Sequence, residues 1–189
     1  MKGLYGMADA AFGDVEAQAR LLAKAGACCV QLRCKGWGRA RIAATIEALD
    51  LPIPVLVNDH VGLGDGGHLG QDDGPWTGPG LWGRSTHTLR QIDTAVAEGA
   101  SYVGFGPVFP TGTKVVGRAE VGLEGLRHAV GHSPIPVVAI GGITLDRLPQ
   151  LQQTGVPAWA VISAIWGATD PLTAARAFSP GELRAAPRP

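Results

Sequence analysis

The sequence predicts an α/β protein, and within that class a compact (β/α)₈ TIM barrel. Short apolar runs alternate with longer segments of helical periodicity along the chain, and eight such runs can be distinguished. Most of them are continuous and rich in valine and isoleucine, which is typical of parallel strands that are covered on both faces. A doubly wound sheet would show the same alternation, but eight strand–helix units favour a closed barrel.

The eight apolar runs define the predicted strands. They comprise residues 3–8, 28–33, 53–58, 66–70, 81–85, 101–106, 136–142 and 158–164. Helices are predicted over residues 14–26, 39–50, 89–100, 122–130, 145–155 and 170–178. In the first helix Val15, Ala19 and Leu22 fall on one face. In the last helix Pro171 suits the first turn, where a missing N–H costs nothing.

The chain is short for a barrel of this kind. It has 189 residues, whereas such barrels usually have about 250 and seldom fewer than about 200. The shortfall lies after the third and fourth strands, because neither residues 59–67 nor residues 74–83 leave room for a full helix. We therefore predict shortened crossovers there, a single domain over residues 1–180, and a loose C-terminal tail over residues 181–189.

Composition and charge exclude several classes of protein. Hydrophobic residues make up 46% of the chain and charged residues 17%, so we expect a globular protein. The formal net charge is zero and lysine and arginine do not cluster, so we expect no nucleic-acid partner. No apolar run approaches the roughly 20 residues of a membrane span, so we expect no membrane association.

The N-terminus and the cysteines point to one compartment. The first ten residues lack the apolar core of a signal peptide. None of the three cysteines forms a C-x-x-C pair, so we expect a reduced, cytoplasmic protein. The roles of Cys28, Cys29 and Cys34 stay open between packing beside a strand and redox chemistry.

Polar residues gather where the predicted strands end, which is where the chemistry of such barrels takes place. Gln31, Arg33 and Lys35 alternate along the end of the second strand, so their side chains share one face. Two cations and an amide on such a face need compensation, because buried charge is costly without a partner. We expect an anionic ligand to supply it.

Carboxylates follow the next two strands. Asp59 comes after the third strand and Asp73 after the fourth. An Asn-Asp pair such as 58–59 is by itself an ordinary turn, but carboxylates that converge with lysines suit Mg²⁺, which prefers carboxylates together with substrate phosphate oxygens. The sequence thus predicts a metal–diphosphate site.

A second anion site is predicted at the seventh and eighth strands. These end in "IGG" and "ISA", which contain Gly142 and Ser163. Phosphate often binds at this part of such barrels, on backbone N–H groups. The alternative is that Gly141 and Gly142 only form a turn.

Taken in order, these motifs resemble those of the thiamine phosphate synthase family. The matching segments are "LYGMAD", "VQLRCK", "VLVND", "HLGQDD", "GRSTHT", "YVGFGPVFPTGTK", "VVAIGGI" and "VISAI". They cover nearly the whole chain up to about residue 177, and the long motif after the sixth strand is the most specific. The family has a (β/α)₈ fold, in agreement with the number of apolar runs.

The resemblance implies a transferase of thiamine biosynthesis. It would couple hydroxymethylpyrimidine diphosphate to thiazole phosphate, release diphosphate and give thiamine phosphate. The matched catalytic cations are Arg33, Lys35 and Lys114, and the matched Mg²⁺ ligands are Asp59 and Asp73. The other matched positions are Gln31, Leu32, Cys34, Asn58 and Ser85 around the diphosphate, and Thr111, Gly112, Thr113, Gly142, Ile162 and Ser163 around the thiazole phosphate.

One departure and three matters left open accompany this resemblance. Cys34 stands where the family commonly has an acidic residue, although strand alternation should turn its side chain away from the site. A thiazole tautomerase of the same fold would instead use His87 for proton transfer, and a barrel that binds phosphate ligands without catalysis is a further alternative. The partners implied are two small-molecule substrates, and self-association into a homo-oligomer is left open.

Overall fold

A computed structural model describes residues 1–112 and 119–179, and in it eight parallel strands close into a barrel in the order β1 to β8. The strands are β1 Gly3–Asp9, β2 Cys29–Arg33, β3 Val55–Asn58, β4 Gly66–Leu69, β5 Leu81–Thr86, β6 Tyr102–Phe105, β7 Val137–Ile140 and β8 Ala158–Val161. Each strand pairs in parallel with the next, and β8 pairs with β1. The predicted (β/α)₈ fold is confirmed.

Helices cover the outside of most of the barrel. They are α1 Val15–Lys24, α2 Arg39–Ala48, α3 Leu89–Ala97, α4 Gly122–His132, α5 Leu148–Gln152, α6 Ser163–Trp166 and α7 Pro171–Phe178. The carboxylate of Asp14 caps α1 by accepting the backbone N–H groups of Glu16 and Ala17. Thr88 and Gln91 form a reciprocal capping box at the start of α3. Within the described ranges, no helix is both long and apolar enough to cross a bilayer.

The two shortened crossovers are confirmed. Residues 59–65 and 70–80, all of them described, connect β3 to β4 and β4 to β5 without a helix. Several boundaries differ from the prediction by one or more residues, and two of them illustrate the differences. The eighth strand ends at Val161 because Ser163 begins α6, and the helix predicted over residues 145–155 is only Leu148–Gln152. The predicted tail, residues 181–189, lies outside the described residues.

Strand alternation divides the buried residues into two layers. Tyr5, Leu56 and Tyr102 belong to the cluster inside the barrel, whereas Leu4 and Leu32 belong to the cluster between strands and helices. The two layers fix which face of each strand is directed inward. Residues that continue the inward phase beyond the strand ends therefore reach the mouth of the barrel.

Candidate active site

A cavity of about 650 Å³ opens at the carboxyl end of the barrel. Its walls come from all eight strands and the loops that follow them. Eleven of the residues predicted from the sequence line it: Gln31, Arg33, Lys35, Asn58, Asp59, Asp73, Ser85, Thr111, Gly142, Ile162 and Ser163. The structure therefore brings most of the predicted site into one chamber.

The other predicted residues lie elsewhere. The side chains of Leu32 and Cys34 are buried between strands and helices, because both have the opposite phase to Gln31. As substrate-binding positions these two are limited to their backbone atoms, and the expected orientation of the Cys34 side chain is confirmed. Gly112 lines a smaller depression beside the cavity. Thr113 and Lys114 lie outside the described residues.

The positive charge of Arg33 is already compensated within the protein. Its guanidinium forms an ion pair with Asp9, which is its register partner on β1 and is 2% exposed. Gln18 holds Asp9 in turn, since its side chain accepts the Asp9 N–H at 2.8 Å and donates to the Asp9 carbonyl at 3.2 Å. This corrects the expectation that Arg33 depends on an external anion for charge compensation. Part of its side chain, 19%, remains exposed towards the cavity.

The side chains of Asp59 and Asp73 lie close enough to interact with each other at the mouth of the cavity. Burial raises the pKa of Asp59, and the Asp73 carboxylate raises it further by like-charge repulsion. Asp59 also has a positive φ of 60°, an uncommon conformation that aspartate tolerates better than most residues. Its N–H donates to the carbonyl of His68 at 3.2 Å. Burial and like-charge repulsion make two such close carboxylates unfavourable, so a bound cation would stabilise the pair.

A chain of hydrogen bonds crosses the interior of the barrel below the mouth. It links Asn58 to Gln31 at 2.7 Å, Gln31 to Tyr5 at 2.7 Å, Tyr5 to Tyr102 at 2.8 Å, Tyr102 to His68 at 3.1 Å, and His68 to Ser85 at 3.0 Å. We call these six residues the interior chain. They come from six different strands, and all of them line the cavity.

The interior chain has a defined direction. The Tyr5 hydroxyl donates to Gln31 Oε1, so the single proton between the tyrosines must come from Tyr102. Tyr102 then accepts from Nδ1 of His68, and Nε2 of the same ring lies 3.0 Å from the Ser85 hydroxyl. Burial raises the pKa of both tyrosines, so their hydroxyls stay protonated at neutral pH. The cavity floor thus offers a fixed pattern of donors and acceptors.

Sequence reasoning missed Tyr5, His68 and Tyr102. A usable signal was present, because all three are polar or aromatic residues inside predicted strands, namely residues 3–8, 66–70 and 101–106. A polar or aromatic side chain in the inward phase of a barrel strand is a candidate for the site even when it lies before the strand end.

His87 also lines the cavity. Its Nδ1 is hydrogen-bonded to the carbonyl of Gly106, so Nδ1 carries the proton. Its backbone N–H donates to Gln91 Oε1 at 2.7 Å. These two contacts hold the imidazole at the edge of the chamber.

Comparison with known proteins shows which family this chain matches over most of its length. Residues 4–165 match the family model described as thiamine monophosphate synthase. A thiamine-phosphate synthase of Anaeromyxobacter dehalogenans is 41% identical over 92% of this chain and 84% of its own length. One of Chloroflexus aurantiacus is 40% identical over 80% of this chain and 77% of its own. Among solved structures, a thiamine phosphate pyrophosphorylase from Pyrococcus furiosus superposes with a TM-score of 0.84 at 32% identity and covers 93% of both chains.

Proposed function

Because this chain belongs to the thiamine monophosphate synthase family, it is a transferase that couples hydroxymethylpyrimidine diphosphate to thiazole phosphate, and we propose roles in that reaction for the residues of the cavity. One observation supports the assignment of roles above all others. Two carboxylates and two cations, carried on β2 and on the loops that follow β2, β3 and β4, line the same chamber.

The diphosphate is assigned to the side of the mouth formed by β2 and β3. Arg33 and Lys35 line the cavity there, with Asn58 beside them. Arg33 is held in place by Asp9, so it meets the substrate already oriented. Lys114 joins this group on the basis of its sequence motif alone. Ser85, which lines the same cavity from β5, is added to this group on the basis of its sequence motif.

Asp59 and Asp73 are proposed to hold Mg²⁺. Their mutual repulsion, which contributes to the raised pKa of Asp59, fits a donor set that a divalent cation would stabilise. In the part of the chain that the structure describes, no cluster of three or more His, Cys, Asp or Glu side chains suits a metal. Substrate phosphate oxygens would therefore complete the coordination, as Mg²⁺ commonly requires. When bound, Mg²⁺ would neutralise charge on the departing diphosphate.

The reaction requires no covalent bond between the protein and a substrate. A bond forms between the thiazole nitrogen and the methylene carbon of the pyrimidine, and the bond from that carbon to the diphosphate oxygen breaks. The electron pair leaves with the diphosphate, so no protein nucleophile is needed. Arg33 and Lys35 would stabilise the developing negative charge from fixed positions, and the cavity walls would hold the thiazole nitrogen near the carbon.

The pyrimidine is assigned to the interior chain. A ring that carries nitrogen acceptors and an amino group needs donors and acceptors at fixed positions. The interior chain offers both, below the proposed diphosphate group. A substrate complex in which the ring contacts none of these six residues would contradict this assignment.

The thiazole phosphate is assigned to the opposite wall, formed by the loops after β6, β7 and β8. Thr111, Gly142, Ile162 and Ser163 line the cavity there, with Gly112 in the adjoining depression and Thr113 included on its motif alone. A side chain at Gly142 would also disturb this wall from within, because a Cβ would lie 2.4 Å from the carbonyl oxygen of Pro110. Substitution of Gly142 would therefore displace the loop as well as block the ligand.

The family match favours the synthase over the tautomerase, because the matching family and relatives are synthases.

A cytoplasmic location is proposed for this protein. It is supported by Cys28, Cys29 and Cys34, which are all free thiols. Cell fractionation with a tagged chain tests it, and recovery outside the cytoplasm would contradict it.

Removing the metal tests the proposed site. The purified protein should form thiamine phosphate from both precursors in the presence of Mg²⁺, lose this activity in excess chelator, and regain it when Mg²⁺ is added back. The measurement is product formation by chromatography under the three conditions. Full activity in excess chelator would contradict the proposed role of Asp59 and Asp73.

A further inference from the structure

Arg84 lies on the outer face of β5, one residue before Ser85 of the interior chain, and is 6% exposed. Its guanidinium donates to four backbone carbonyls of one short segment. The acceptors are Gly70 at 3.2 Å, Gln71 at 3.4 Å, Asp73 at 2.9 Å and Gly74 at 2.9 Å. The buried cation thus binds the backbone of the loop that carries Asp73.

The charge of Arg84 is balanced at the surface. Its Nε lies 3.1 Å from a carboxylate oxygen of Glu98, whose side chain is 38% exposed. Its guanidinium carbon also lies 5.9 Å from the centre of the Trp82 ring. Three of the four carbonyls surround Nη1 and share its two N–H groups, and the Gly74 carbonyl accepts from Nη2. The Nε N–H has no hydrogen-bond partner among the described residues, so Glu98 compensates the charge by proximity.

The loop has no helix to fix it. Residues 70–80 join β4 to β5 directly, and Trp76 covers β4 where a helix would otherwise lie. A Cβ on Gly67 would come within 2.6 Å of the Trp76 ring, and Trp76 stacks on Trp82 with ring centres 6.3 Å apart. Trp76 therefore packs against the strand, while Arg84 supplies the polar contacts that a regular helix would make within itself.

Asp73 connects Arg84, which lies outside the barrel, with the cavity inside it. Its carbonyl accepts from Arg84. Its carboxylate accepts the N–H of Gly70 and raises the pKa of Asp59. The position of the carboxylate in the cavity therefore depends on the backbone conformation that Arg84 stabilises.

We propose that Arg84 is a positioning residue for the metal-binding carboxylate of Asp73: it clamps the loop of residues 70–74 from outside the barrel and so prepares the cation site before substrate arrives. This inference rests on the proposed metal site. According to this proposal, Arg84 contributes to the metal affinity although it does not contact the substrates.

The test is a titration of the protein with Mn²⁺ in the presence of inorganic diphosphate. The electron paramagnetic resonance signal of free Mn²⁺ reports how much metal is bound. Lysine keeps the charge of Arg84 but cannot hold four carbonyls, so Arg84→Lys should raise the Kd for Mn²⁺ by about tenfold or more. Raised Mg²⁺ concentration should restore much of its kcat. Arg127→Lys is the matched control, because Arg127 is an exposed arginine that pairs with Glu124 within α4, and its Mn²⁺ affinity should not change.

A double-mutant cycle separates positioning from general stability. If Arg84 acts through Asp73, Arg84→Lys should weaken Mn²⁺ binding much less when Asp73 is already asparagine. Additive losses would overturn the inference, and so would unchanged Mn²⁺ affinity in a folded Arg84→Lys protein. Failure of the unsubstituted protein to bind Mn²⁺ with diphosphate would overturn the proposed metal site, and this inference with it.

A second measurement applies if Arg84→Lys does not fold. In the unsubstituted protein without metal, the amides of Gly70 and Asp73, which donate to acceptors within the loop, should already exchange slowly with solvent deuterium, because the loop that Arg84 clamps is ordered without ligands. Protection that arises only after Mn²⁺ and diphosphate are added would show that the ligands, and not Arg84, order the loop. That result would overturn the inference.

Discussion

Asp59→Asn and Asp73→Asn are each expected to lower kcat by about a hundredfold or more, by analogy with the removal of other groups that stabilise transition-state charge. Each change removes one of two carboxylates proposed to hold Mg²⁺, so charge on the departing diphosphate is less well compensated. Asp59→Asn should not destabilise the metal-free protein. Burial and the Asp73 charge raise the pKa of Asp59, so its carboxylate costs folding free energy at neutral pH, above the ordinary pKa of aspartate.

The measurements are steady-state kinetics over a range of Mg²⁺ concentrations and thermal unfolding in excess chelator. Asp72→Asn is the matched control, because Asp72 neighbours Asp73 but the carboxylate that acts on Asp59 is that of Asp73. It should keep most of the activity. Normal kcat in the Asp59→Asn, Asp73→Asn double variant would contradict the metal site, and a large loss in Asp72→Asn alone would reassign the ligand.

Arg33→Ala is expected to damage both catalysis and stability. Loss of a fixed donor to the leaving group should lower kcat by about 10²–10³-fold. The change also leaves the buried Asp9 carboxylate without its cation, and breaking a buried ion pair on one side costs about 3–5 kcal/mol. Arg33→Ala should therefore show a lower melting temperature as well as slow turnover.

The two effects can be separated with a second substitution. Asp9→Ala in the Arg33→Ala background removes the uncompensated carboxylate, so thermal stability should partly recover while kcat stays low. Kinetics and thermal unfolding of the single and double variants decide the matter. Recovery of kcat in the double variant would show that Arg33 acts only through folding and does not contact the diphosphate.

The barrel could be predicted from the sequence because its determinants are local. Apolar runs such as residues 53–58 and 136–142 identify strands buried on both faces, and the short spacing of Asn58 to His68 leaves no room for a helix. The site at the mouth followed from the convergence of strand ends in such a barrel. Asp59 and Asp73 were predicted at the mouth in this way, and both line the cavity.

What the sequence could not provide depends on register and on contacts between distant segments. Asp9 compensates Arg33 because the two are opposite each other in the β1–β2 register, which no local pattern specifies. The partnership of Tyr5 with Tyr102 spans the interior of a closed barrel and arises only when the inward phase of each strand is fixed. The Arg84 clamp was missed for a related reason, since its partners are backbone carbonyls and leave no side-chain signature.

Diffraction from crystals grown with Mn²⁺ and hydroxymethylpyrimidine diphosphate, without thiazole phosphate, tests the central claim most directly. Data collected near the manganese absorption edge locate the metal independently of the protein atoms. We predict one anomalous peak between the carboxylates of Asp59 and Asp73, the diphosphate against Arg33, and the pyrimidine ring against the interior chain. Manganese bound away from both carboxylates, or a diphosphate on the wall formed by Gly142 and Ser163, would contradict the proposed arrangement of the site.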